Sequence, residues 1–77
     1  MTNLHLYEAQ DNAMNYIIME DWDTNKAIVI DHDISEEEVE ELVAEFNKNG
    51  TLESRVDGKW TDTEEIYDGL FSKNVIA

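Results

Sequence analysis

Apolar residues in this chain fall into short clusters, and their spacing changes from one cluster to the next. Tyr16 to Met19 and Ala27 to Ile30 are continuous, largely β-branched runs, and the EDWDTNK between them holds Asp, Thr and Asn, which favour turns. That pattern predicts a β-hairpin. Upstream, LHLYEA places Leu4 and Leu6 on one face of a first strand, with a short N-terminal helix as the rival reading, and QDN supplies a turn before Met14. From Val39 the period becomes helical: Val39, Leu42, Val43 and Phe46 form one stripe at i, i+3, i+4 and i+7. Ser35 is the N-cap, Glu38 completes a capping box, Ile34 and Val39 sit at the staple positions, and Asn49-Gly50 ends the helix.

Beyond that helix, TLESRVDGKWT reads as a strand or hairpin around the tight-turn dipeptide Asp57-Gly58. DTEEIYDGLF predicts a short helix capped by Thr61, Asp62 or Thr63, with Ile66, Tyr67, Leu70 and Phe71 turned inward. The tail SKNVIA is either loose or a short edge strand. Together these elements predict one α+β domain over 1–77: a small antiparallel sheet of three or four strands with two helices packed on one face. A chain of 77 residues buries only about 60% of its unfolded surface, so the core is thin.

Composition alters this picture through charge. Five Lys plus Arg stand against nineteen Asp plus Glu, a formal net charge of −14. Direct binding to nucleic acid or to an anionic membrane is disfavoured, because phosphate contacts need Lys and Arg, and any electrostatic partner is expected to be basic. The chain has no cysteine, which excludes disulfides and thiolate chemistry and suits a reducing compartment. No apolar run is long enough to span a bilayer, and no signal pattern opens the chain, so the expectation is a soluble cytoplasmic protein, monomeric or a small homo-oligomer.

Catalytic and metal-binding patterns fail on inspection. Asp21, Asp23 and Asn25 match EF-hand positions, but Lys26 stands where glycine is needed and His32 where a bidentate glutamate is needed. Asp31-His32-Asp33 on an extended segment points its aspartates one way and its histidine the other. His5 lies on the polar face of its strand. The reading is therefore of a protein that is not an enzyme and needs no cofactor. Of the two tryptophans, Trp60 fits a core role, whereas Trp22, between Asp21 and Asp23 at a turn tip, fits an interface anchor.

The helix carries more acid than it needs. Glu36, Glu37 and Glu38 complement the macrodipole at its start. Glu40, Glu41 and Glu45 do not, and they create like-charge pairs such as Glu36/Glu40, Glu37/Glu41 and Glu41/Glu45. Summed over such pairs, the repulsion is on the order of 1–2 kcal/mol. B-DNA carries one charge per ~1.7 Å, so fourteen charges correspond to about 24 Å of duplex, close to the roughly 30 Å breadth of a domain this size. Two readings follow: an acidic decoy for a phosphate-binding groove, or an acidic interaction module whose interface is apolar or aromatic.

An acidic hairpin, a helix ending in VEELVAEFNKNG, and an acid-rich segment leading into TEEIYDGL resemble the small phage-encoded type II-A anti-CRISPR proteins that mimic DNA. The resemblance spans roughly residues 16 to 71 and implies a three-stranded antiparallel sheet with helices. It also implies a host bacterial cytoplasm and a stoichiometric inhibitor lodged where an RNA-guided Cas nuclease reads its protospacer-adjacent motif. On it, the acidic contacts fall on Asp21, Asp23, Asp62, Glu64 and Glu65, which pair with the nuclease's arginines and lysines. Trp22 and the helix acids Glu37, Glu40, Glu41 and Glu45 complete the expected partner-binding set. RVDGKW, between the helices, is this chain's own insertion.

Overall fold

In a computed structural model describing residues 3–77, the apolar runs pair as an antiparallel meander of β1 (Leu4–Gln10), β2 (Asn15–Asp21) and β3 (Lys26–His32). LHLYEA is thus a strand, in register Leu6↔Met19 with β2, while β2 faces β3 through Ile18↔Val29. Asp11 shapes the first turn by accepting the N–H groups of Ala13 (2.8 Å) and Met14 (2.7 Å). Those two bonds hold its carboxyl below the usual carboxylate range.

The central helix α1 (Glu36–Asn49) begins and ends on the expected signals. The Ser35 hydroxyl accepts the Glu38 N–H at 3.3 Å, and the Glu38 carboxylate lies 3.4 Å from that same hydroxyl. Gly50 adopts a left-handed φ of 75° and donates to the Phe46 carbonyl, a conformation in which a Cβ is strained.

Three further elements complete the fold: β4 (Thr61–Asp62), the one-turn helix α2 (Thr63–Ile66) and β5 (Phe71–Val75). Among the described residues the sheet has five strands in the order β4-β3-β2-β1-β5, more than the three or four expected. The tail contributes one of the additions by pairing with β1, and β4 adds the other through just two partners, Lys26 and Ala27. TLESRVDGKWT forms no hairpin. It is too poor in alternating apolar residues to pay for a ladder; Leu52 is buried, a 3-10 turn follows at Glu53–Arg55, and the chain then runs irregularly to β4.

The two helices do not share a face. Leu42 and Phe46 of α1 pack with Leu6, Ile17, Met19, Ile28 and Leu52. Ile66, Tyr67 and Leu70 instead cover Ala9, Ile18 and Ala27, which alternation in the strands turns to the opposite side. The reason lies in β2, where Ile17, Ile18 and Met19 are all buried, so both faces need an apolar cover. Phe71 is not inward either. The helical turn stops at Ile66, Gly69 takes a φ of 80°, and Phe71 opens β5 with about half its surface exposed.

On the α2 side, Lys73 of β5 straps the edge strand to the sheet. Its ammonium lies 3.2 Å from the largely buried Glu20 carboxylate and over the rings of Tyr67 (3.9 Å) and Tyr7 (4.5 Å). The Tyr67 hydroxyl is buried there with no hydrogen-bond partner among the described residues. Burial, followed by the negative charge of Glu20, pushes its pKa well above the ordinary value of about 10. The folded protein thus keeps a proton that the unfolded chain loses, so this contribution is complete below about pH 10 and is lost as pH rises beyond it. Tyr16, raised by burial and by its bond to Asp11, acts in the same direction. Tyr67→Phe is expected to leave stability at neutral pH unchanged or raised, and to flatten its alkaline decline. Urea midpoints measured on both sides of that range check this; a variant with the wild-type alkaline slope would rule it out.

Candidate functional site

The hairpin tip and the start of α2 are about 40 residues apart in sequence, yet β4 brings them to one end of the sheet. The Thr63 N–H donates to the Asn25 carbonyl at 3.0 Å, and Lys26 Nζ lies 3.1 Å from Asp62 Oδ1. Asn25 makes the close approach with a positive φ of 56°, a conformation Asn tolerates. Asp21, Trp22 and Asp23 thereby join Asp62 and Glu64 in one acidic end, whereas Glu65 faces a groove shared with Asp11 and Tyr16, toward the β1–β2 turn at the opposite end of the sheet. Asp21 Oδ1 accepts the Asp23 N–H at 2.9 Å, which leaves its other oxygen without a partner among the described residues. Trp22 is 46% exposed and lies flat on His5, with ring centroids 3.7 Å apart at 23°.

The helix acids divide into two kinds. Glu37, Glu40 and Glu41 are exposed on the outer side of α1, across the sheet from α2, so the acidic surface wraps two faces. Glu45 is engaged within the fold. Arg55 donates to both of its oxygens, Nε at 3.2 Å to each and Nη2 at 3.0 Å to Oε1, which ties the 3-10 turn to the helix. Those bonds hold the Glu45 carboxyl below its usual range. The like-charge contact of Glu41 with Glu45 is relieved by the same arginine, whose charge Glu41 also favours. A guanidinium ten residues along a chain with no regular repeat left no pattern from which this pairing was readable.

Among the described residues, Lys26, Arg55 and Lys73 are paired with Asp62, Glu45 and Glu20. Nineteen acids less these three leaves sixteen carboxylates without a Lys or Arg partner among the described residues. Spread along the 32 Å long axis, fourteen net charges are one per about 2.3 Å, against ~1.7 Å in B-DNA.

Asp31-His32-Asp33 serves the chain reversal before α1. Asp31 accepts the His32 N–H, Asp33 accepts the Asn15 N–H at 3.0 Å, and Asp33 has a φ of 51°. Among the described residues no three His, Cys, Asp or Glu side chains converge as metal ligands, and no helix is long and apolar enough to cross a membrane.

A feature invisible in the sequence lies next to the acidic end, on the α1 side. Leu4, Asp21 and Lys26 stand side by side across β1, β2 and β3. With Thr24, Thr51, Glu53 and Trp60 they line an open cavity of about 590 Å³. Trp60 also packs against the main core, as its sequence context implied. No protein-family model, curated protein or solved structure matches this chain.

Proposed function

We propose that the protein is a stoichiometric acidic inhibitor that mimics DNA and occupies the nucleic-acid-binding groove of a basic protein. An RNA-guided Cas nuclease is the target that its anti-CRISPR resemblance implies. The observation that carries this reading is the surplus of sixteen carboxylates lacking a Lys or Arg partner among the described residues, with five of the expected contact residues drawn together at one end of the sheet. Such a surface offers a phosphate-binding groove the charge it is built to receive, without bases to read and without any bond to break. The protein works in the cytoplasm, with no cofactor, as a monomer or small homo-oligomer.

The test is binding to a Cas nuclease as salt and DNA are varied. If the decoy replaces six or more phosphate contacts, affinity falls on the order of a thousandfold between about 50 and about 200 mM salt. Target DNA bearing the adjacent motif also competes with the protein for the nuclease. A complex indifferent to both would refute the proposal.

Trp22 favours a second reading. An exposed indole braced on His5 is a preformed aromatic anchor, suited to an acidic interaction or regulatory module that binds through an apolar patch. That complex would resist salt and would be lost on Trp22→Ala.

A further inference from the structure

We infer that the cavity bounded by Trp60, Asp21 and Glu53 is a docking site for an arginine side chain of the partner. This inference rests on the decoy reading and gives its surface a specific receptor. The volume of about 590 Å³ lies within the range of about 300–1,000 Å³ typical of small-molecule sites. Leu4 and Trp60 supply apolar wall, while Asp21 and Glu53 supply two carboxylates, neither paired with a Lys or Arg among the described residues. The single cation in the lining, Lys26, is held by Asp62 at 3.1 Å. The cavity is therefore matched to a cation with an apolar stem and a flat head, which can lie against an indole while bonding a carboxylate with two N–H groups. Guanidinium meets that description better than ammonium, a compact and strongly hydrated point charge.

A second copy of the chain is a poor occupant. Each copy carries a formal charge of −14, and the chain's one arginine, Arg55, already serves Glu45 through three hydrogen bonds. The arginine must come from a different protein, and a groove built for phosphate presents many. Glu53 and Trp60 lie outside the acids expected to make contact, so the cavity adds a shaped apolar component to a surface otherwise read as charge alone.

Isotope-labelled protein titrated with Nα-acetyl-arginine amide tests this directly, with the lysine and citrulline amides as charged and neutral comparisons. Arginine is expected to shift the Trp60 indole N–H and the Thr24 and Thr51 amides saturably, at least about threefold more tightly than lysine, with no response to citrulline. Asp21→Asn combined with Glu53→Gln weakens arginine at least about tenfold, roughly what the loss of two charged partners implies. Glu53→Gln alone, on the exposed 3-10 turn, is expected to weaken it about threefold and reports independently of any folding defect at Asp21. Glu40→Gln with Glu41→Gln leaves the titration unchanged. Unsaturable shifts spread over α1, an equal response to citrulline, or wild-type binding by the folded double variant would each overturn the inference. Those results leave DNA competition untouched, whereas lost competition with an intact arginine titration would sink the decoy reading and keep the cavity as a site for basic peptides.

Discussion

Phe46→Ala is expected to leave little folded protein at physiological temperature. Phe46 is 7% exposed and joins α1 to the sheet through the cluster of Ile17, Met19 and Leu42. Truncating a buried phenylalanine typically costs about 3–5 kcal/mol, because the lost transfer energy is compounded by the cavity left behind. A core in a chain of this length rarely supplies more than ~3–5 kcal/mol of net stability, so the two quantities nearly cancel. Urea unfolding followed by circular dichroism checks the result. Phe71→Ala is the control: about half exposed on an edge strand, it is expected to shift stability by no more than about 0.5 kcal/mol. If Phe46→Ala cost less than about 1 kcal/mol, the apolar stripe of α1 would not be what holds the helix to the sheet.

The second large effect is on binding. Neutralising Asp21, Asp23, Asp62, Glu64 and Glu65 together as amides removes the five acidic contacts expected of the decoy while keeping side-chain size. With roughly 0.5–1 kcal/mol lost per contact, affinity for the target nuclease is expected to fall about a hundredfold or more, and the salt dependence should become shallower. Glu37→Gln, Glu40→Gln and Glu41→Gln, on the far side of the sheet from α2, test the helix face separately. They should also raise stability by a few tenths of a kcal/mol per repulsive pair removed. Isothermal titration and urea melts on the same samples separate the two effects. Unchanged affinity in both sets, with only solubility reduced, would show that the acids act as a solubilising coat.

How far the fold was legible depended on whether its signals were local. Ser35, Glu38, Gly50 and the Val39-to-Phe46 stripe lie within one helix, and that helix formed where they placed it. The hairpin between β2 and β3 is readable for the same reason, whereas LHLYEA leaves strand and helix open until its pairing with β2 decides between them. Placement across the sheet is not readable. A run such as Ile17-Ile18-Met19 states that both faces are buried, but not which distant segment covers each, so the expectation of two helices on one face misplaces α2. β4 is only two residues long and is defined by its partners Lys26 and Ala27, so it had no pattern of its own. At the candidate site, exposure of the hairpin-tip acids followed from turn chemistry. The Glu45–Arg55 pair and the Trp60 cavity arise from contacts between segments whose separation no periodicity encodes.

Strand order has a consequence for how the molecule is made. Of the five strands, β1 leaves the ribosome before the other four; it sits between β2 and β5, and its outer edge stays bare until Phe71–Val75 emerges. Completion of the sheet is thus a late, non-local event, slowed by the closure of a loop that contains most of the chain. Until then the nascent chain displays an unpaired strand edge, a hazard for aggregation that its heavy negative charge opposes by mutual repulsion.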